Sequence, residues 1–332
     1  MFLSEFDTSR LPRRSRLKAW REAATAVWDI SQADEQDFSA KVKAWHGHEL
    51  IFGTIESTSQ TTNRTEDWIA QDGFDYYMLQ FYNRGFRRIL DRFEDRTARG
   101  GDLVTLDMTQ TVSTMSSSYL SNDLVIPRRK LAPLLVYPDA HGGRVHDARL
   151  PLVSLLRSHL AALTEAAPKL TDLQMADLQP ATIALVAATL NGVVSEDIAP
   201  EVRSSLLLPI RKFVDAHLRS PDLGLPHIAA QFGLSRSTVY RIMKPVGGVS
   251  AFILERRLRA CRADLRRPEL RHKTISEIML GWGFSNPQSF SSMFRRAFGM
   301  SPRAFRQQSA VQKSVAATEI DSNWSRWIKE LS

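Results

Sequence analysis

The chain has 332 residues, 43% of them hydrophobic and 24% charged, enough for about two domains with cores of their own. A single cysteine, Cys261, excludes an intrachain disulfide framework; no run of about 18 apolar residues predicts a membrane span, and the opening MFLSEFDTSRLPRRSR lacks the apolar centre of a secretory leader, so a cytoplasmic protein is expected. The net charge of +8 is uneven: residues 201–306 carry 19 basic and 7 acidic residues, and the first 200 carry 22 and 26, which points to a polyanion-binding module joined to a mildly acidic region.

The first predicted element is an amphipathic helix over 14–28, with Leu17, Trp20, Ala24 and Val27 on one stripe. From residue 38 to 126 short β-branched and aromatic runs dominate, at 49–55, 75–82, 87–90, 103–106 and 118–126. Turns such as Gln71-Asp72-Gly73, Asn83-Arg84-Gly85 and Arg99-Gly100-Gly101-Asp102 separate them. This spacing predicts a β-barrel or sandwich. Two long apolar-periodic segments follow, 150–166 and 173–194, joined by a loop containing Pro168, and they predict an antiparallel helix pair. The second is strongly apolar at Ile183, Leu185, Val186, Leu190 and Val193. It packs either within its own chain or against a second copy in a homodimer.

A helix near 202–219 opens the basic third, and two helix-turn-helix patterns follow. In the first, Gly233 is the turn, Ile228, Phe232, Leu234, Val239 and Ile242 pack, Ser235 caps the second helix and Pro245 stops it. Arg236, Ser237, Thr238, Tyr240, Arg241 and Lys244 remain outward as donors for phosphates and base edges. In the second, Thr274 and Glu277 form a capping box and Gly283 is the turn. Ser285 is expected to cap the next helix, Phe290, Met293 and Phe294 face inward, and Asn286, Gln288, Ser289, Ser292, Arg295 and Arg296 are left for the groove. Between the units, residues 250–267 form one helix with Leu254, Leu258, Cys261 and Leu265 on a stripe and Arg256, Arg259, Arg262 and Arg266 on other faces. If that helix holds the reading helices about 34 Å apart, they enter successive major grooves of double-stranded DNA.

Residues 228–306 resemble the DNA-binding domain of the AraC/XylS family of transcriptional regulators, most specifically through GFSNPQSFSSMFRRAFGMSPRAFR, with RRLRACRADL similar to its linking helix. The resemblance implies base reading by Ser237, Tyr240 and Arg241 and by Gln288, Ser289 and Ser292. It also implies a promoter target, an activator acting with RNA polymerase, and a dimer. Two positions depart from the pattern: Met279 stands where a small residue is usual, with Gly281 expected to relieve the crowding, and Ser292 replaces a frequent Arg.

Residues 5–135, through TSRLPRRSRLKAWREA, RTEDW and GGDLVTLD, resemble the cupin-like sensor of one AraC/XylS branch, which implies a small barrel binding a small organic effector. Trp45, Arg64, Trp68, Tyr76, Tyr77 and Phe81 are the candidate lining, an Arg to pair with a carboxylate and rings to stack. The structural alternative makes Tyr77, Leu79 and Phe81 one core face and leaves Arg64 solvated or in a surface ion pair. His46-Gly47-His48 has the form of a metal-cupin pair, but is read as two polar residues at a strand end. Among enzyme signatures, no Ser-His-Asp set, P-loop or dinucleotide fingerprint appears. The expected fold is therefore multidomain α+β: a cupin-like sensor over 1–135, a helical linker over 136–200, a double helix-turn-helix domain over 201–308 and a mobile tail over 309–332. The expected function is a regulator and not an enzyme, with no cofactor. A metal-dependent cupin enzyme fused to a DNA-binding domain and a non-specific architectural DNA binder are the alternatives.

Overall fold

The structure, a computed structural model, describes residues 2–24, 27–33, 37–47, 49–65, 68–69, 74–90, 96–197 and 206–311. His48, Pro200 and the tail residues Trp324, Trp327 and Leu331 lie outside them. Ser195–Ala316 forms one compact unit and Met1–Val194 falls in another.

In the first unit the strands are β1 (Phe2–Asp7), β2 (Asp29–Ala33), β3 (Ala40–Gly47), β4 (Leu50–Ser57), β5 (Gln60–Arg64), β6 (Tyr76–Arg84), β7 (Arg87–Ile89), β8 (Arg96–Ala98), β9 (Leu103–Asp107), β10 (Val112–Ser116), β11 (Tyr119–Pro127) and β12 (Arg144–His146). They form two sheets, of order β1-β3-β4-β11-β6-β9-β12 and β2-β5-β10-β7-β8. Among the described residues neither sheet closes on itself. What the spacing predicted as a barrel or sandwich is a two-sheet arrangement over one apolar core. Val42, Ile51 and Met78 come from the larger sheet, Ile30, Ile89 and Ala98 from the smaller. The first helix, α1 (Arg13–Ala24), places Leu17, Trp20 and Ala24 in that core, and Val27 follows them, as the apolar stripe requires.

A short helix α2 (Arg128–Leu131) leads to α3 (Pro151–Ala166) and α4 (Asp172–Asp197). These two are antiparallel: His159 bonds Thr182 at 2.9 Å, and the Thr189 hydroxyl donates to the Leu152 carbonyl at 3.3 Å. The pair packs on the larger sheet rather than standing as a separate linker. Met175 fills the space beside Gly47, and Gln179 Oε1 accepts from the Glu49 amide at 3.2 Å. The alternation of β6 therefore buries both its faces. Tyr76, Met78 and Tyr82 join the core shared with the smaller sheet, while Tyr77 lies on the opposite face and donates its hydroxyl to Pro138 O at 2.9 Å.

The second unit contains α5 (Leu207–Ala216), α6 (Leu225–Phe232), α7 (Arg236–Met243), α8 (Val249–Arg266), α9 (Ile275–Gly281), α10 (Pro287–Phe298) and α11 (Pro302–Val311). Local chemistry sets the boundaries. Gly233, Gly283 and Gly299 have φ of 63°, 79° and 74°, the left-handed geometry that stops a helix and favours glycine. Ser235 accepts from the Thr238 amide, and Thr274 and Glu277 make the reciprocal capping box. The core around α8 contains Leu258, Cys261, Leu265, Met279, Phe290, Phe294 and Phe305. Each fully buried Phe there contributes roughly 1.5–3 kcal/mol by removal from water. Met279 sits inside this core, whereas Gly281 faces open space, so it relieves no crowding. Burial pushes the Cys261 thiol up to about 12, an inert core group.

Candidate nucleic-acid interface and interior cavity

On α7, Val239, Ile242 and Met243 point into the core, which turns Arg236, Ser237, Tyr240, Arg241 and then Lys244 to solvent. Tyr240 is 61% exposed, an unusual position for a large ring with no interior role. Thr238 is only half-buried and bonds Ser235 Oγ at 2.8 Å, so it belongs to the cap cluster.

On α10, Phe290, Phe294 and Phe298 are buried, and Gln288, Ser289, Ser292, Arg295 and Arg296 are exposed along the other side. The expected cap moves by one residue: Asn286, not Ser285, accepts from the Ser289 amide at 2.9 Å. Pro287 at the first helical position explains this, since its fixed φ starts the helix and makes the preceding residue the cap. Among the described residues Arg236, Arg241, Lys244, Arg295 and Arg296 take part in no ion pair, so five cations stand available on the two outward helix faces. Backbone phosphates are the natural acceptors for such an array.

The frame holding these faces depends on arginines that composition alone reads as surface charge. Arg256 makes a bidentate pair with Asp215 on α5, at 2.7 and 2.9 Å. Arg257 donates to the carbonyls of Leu218 at 2.9 Å, Ser220 at 2.6 Å and Gly283 at 3.2 Å. It thereby joins the segment after α5 to the turn of the second helix-turn-helix. Trp282 donates its indole N–H to Asp264 at 2.8 Å and lies under the Arg219 guanidinium at 4.5 Å. Arg262 is buried against Phe298 and Phe305. Neither Arg257 nor Asp215 stands out in the sequence. The available signal is one Arg more on a helix than its outward faces need.

In the first unit a small cavity of about 40 Å³ lies at the base of a recess that opens to solvent. It lies between the two sheets and α1, and Trp20, Trp28, Met78, Gln80, Arg87 and Tyr119 are on its wall. None of the six lining candidates expected from the sequence is. Trp45 lies on the outer face of β3 beside Lys43. Arg64 is neither solvated nor in a surface pair: it is 1% exposed and donates to Met108 O at 2.8 Å and Val27 O at 2.9 Å. Trp68 is half-buried away from the wall, and Tyr76 packs on Phe74 with centroids 5.3 Å apart. Tyr77 and the fully buried Phe81 sit on the sheet face turned from the cavity. His46 stacks on Phe2 and bonds Ser4 Oγ at 2.6 Å, and its burial lowers its pKa to about 4. Among the described residues no three metal-ligating side chains converge.

Residues 228–308 match the family model described as a helix-turn-helix domain. Over 127 residues the chain is 30% identical to the transcriptional activator NphR of Rhodococcus sp, covering 38% of this chain and 37% of that protein. Over 82 residues it is 40% identical to the HTH-type transcriptional activator RhaS of Escherichia coli, covering 24% of this chain and 28% of that protein. The match thus spans less than two-fifths of either relative. The structure of the AraC-like transcriptional activator CuxR is similar in fold across 77% of this chain and 94% of that one, with a TM-score of 0.55 at 18% identity.

Proposed function

We propose that this chain, whose residues 228–308 form a helix-turn-helix domain of the AraC/XylS type, is a cytoplasmic, effector-responsive transcriptional regulator that activates its target promoter. The observation that carries the reading is the pair of outward helix faces on one frame: Arg236, Tyr240 and Arg241 on α7, Gln288, Ser289, Arg295 and Arg296 on α10. Tyr240 and Arg241 have the reach for base edges. Arg295 and Arg296, in the last turn of α10, anchor phosphates and set register. Ser292 adds a short hydroxyl contact, and Asn286 divides its amide between cap and groove.

The first unit is the sensor. Two sheets over one core with an interior cavity support a cupin-like reading, and a small organic molecule in that cavity is the effector. A homodimer follows family habit, and Leu152, Leu155 and Leu173 on the helix pair are large apolar side chains left exposed for a second copy. RNA polymerase is the expected downstream partner by the same resemblance.

Genome-wide mapping of bound DNA, followed by competition binding against random duplex, tests the assignment. Discrete upstream sites with at least about 10³-fold preference over random DNA are expected. Equal affinity for both duplexes makes the protein an architectural binder instead.

A further inference from the structure

The cavity wall contains a cation in an unusual setting. Arg87 is on β7, where strand alternation turns it inward together with Ile89 and leaves Arg88 outside. It is 2% exposed. Its guanidinium carbon lies 5.9 Å from the ring centroids of Trp28, Tyr82 and Tyr119, which surround it with π faces. One Nη donates to the amide oxygen of Gln80, and buried Nε has no hydrogen-bond partner among the described residues. Asp123, the acid coupled electrostatically to it, makes its hydrogen bonds elsewhere: it accepts from Gln80 Nε2 and, at 2.6 Å, from the Ser121 hydroxyl. Among the described residues no hydrogen bond joins the two directly: they share the Gln80 amide, and the Asp123 charge reaches Arg87 through space. A guanidinium whose direct acceptor is a neutral carbonyl, with one donor unmet in an apolar enclosure, is costly to keep unless an anion completes it.

The wall also limits which anion. A dianionic phosphate needs several cations, and among the described residues Arg87 is the one basic side chain on the lining. A sugar needs many donors and acceptors, whereas Trp20, Ala24, Val27, Trp28, Ile55 and Met78 supply apolar surface. An amine meets the guanidinium as a like charge. A flat carboxylate matches the guanidinium fork, and the rings and Met78 receive an apolar body.

Building on the sensor reading above, we infer that the effector is a small monocarboxylic acid with an apolar body, its carboxylate held by Arg87 and its body packed on Trp20, Trp28 and Tyr119. Gln80 and Gln60 position the site. Gln80 steers the guanidinium, and Gln60 accepts from Trp20 Nε1 at 2.8 Å and donates to Tyr119 OH at 3.2 Å, which fixes both rings.

Calorimetry on the full-length protein without DNA tests this, with benzoate, phenylacetate and hexanoate as probes and their primary amides as uncharged matches. At least one acid is expected to bind about tenfold or more tightly than its amide, and Arg87→Met is expected to lose that preference. An amide binding as well as its acid overturns the inference, as does an amine binding better, or no acid binding at millimolar concentration. The acid-to-amide ratio is read on the unaltered chain, so it stands even if Arg87→Met fails to fold. A footprint on the mapped upstream DNA reads the regulator assignment separately. Acid binding with no specific footprint supports the cavity inference and overturns the regulator reading.

Discussion

The Arg257 guanidinium packs directly on the α-carbon of Gly283: Nη1 donates to the Gly283 carbonyl at 3.2 Å, and a β-carbon on Gly283 would stand 2.7 Å from Arg257 Cζ. One glycine therefore satisfies two demands, a φ of 79° at the turn and room for the arginine that ties the segment after α5 to the second helix-turn-helix. Gly283→Ala is expected to cost about 2–4 kcal/mol, combining left-handed strain with displacement of Arg257. Arg257→Ala frees the space, so the same glycine change should cost less in that background. Denaturant melts of the four proteins measure the coupling. Strict additivity would show that the contact has no energetic weight.

Arg257 holds the segment after α5 through Leu218 O and Ser220 O and the turn of the second helix-turn-helix through Gly283 O. Removing it should loosen the relation between α7 and α10 more than either reading face. Arg257→Ala is thus expected to weaken binding to the full operator by more than it weakens binding to an isolated half-site. Equal losses on both duplexes would reduce its role to general stability.

The two outward faces should fail differently. Arg241→Ala is expected to lower affinity for the specific site by about 1–3 kcal/mol and to lose discrimination at one base pair. Arg295→Ala and Arg296→Ala should weaken binding to every duplex alike and reduce the salt slope by about one each. A salt titration with specific and random DNA distinguishes these. The roles are exchanged if Arg295→Ala is the sequence-selective loss.

The double helix-turn-helix was legible because each signal is local. A left-handed Gly, a capping Ser or Thr and an apolar stripe lie within a few residues of one another, and the structure places them accordingly. The shift from Ser285 to Asn286 was legible too, in Pro287. The cavity was not. Arg64 and Arg87 both alternate inward on short strands, and nothing near either in sequence tells which is satisfied. Arg64 finds the carbonyls of Met108 and Val27, 44 and 37 residues away, while the hydrogen-bond acceptor Arg87 finds among the described residues is the Gln80 amide oxygen. Strand order and the choice of buried face on β6 depend on such distant pairings.

The cap that Asn286 forms and the groove contact proposed for it separate on substitution. Asn286→Ala removes the acceptor for the Ser289 amide and should cost about 1 kcal/mol of stability. Asn286→Ser keeps a cap and should melt near the unaltered protein while losing the amide proposed to reach the groove. If Ser restores DNA affinity along with stability, the residue acts only as a cap.

Acid sensitivity should arise in the first unit. Burial is the main cause that lowers the His141 pKa to about 3, with His146, Arg128 and Arg144 adding repulsion and Asp107 opposing it. The unfolded chain takes up a proton near the ordinary 6.5 while the native imidazole stays neutral, so stability is complete above that pH and is lost as pH falls toward 3. His46 acts with the same sign, since burial holds its pKa at about 4. Chemical denaturation at pH 7.0 and at pH 4.5 is expected to show the loss, and His141→Leu should reduce the pH slope whatever its effect on absolute stability.

Asp123 acts with the opposite sign. Burial pushes its carboxyl up to about 6 from 3.8, against the lowering effects of Ser121, Gln80 and Arg87. The native carboxyl binds a proton over a range where the unfolded one has released it, so this group lowers stability as pH rises from 3.8 to 6, and the ionised form above that range costs about 3 kcal/mol. Asp123→Asn keeps an acceptor for Gln80 and removes this cost, so the opposing slope should vanish and the stability curve between pH 4 and 6 should steepen toward that of the histidines alone. The same change withdraws a negative charge from the surroundings of Arg87, Tyr82 and Tyr119. Benzoate affinity at pH 7 should therefore rise in Asp123→Asn if Arg87 is the carboxylate anchor, because a second anion no longer shares its field. A fall in affinity would mean that Asp123 holds Gln80 and Arg87 in place more than it competes with the ligand.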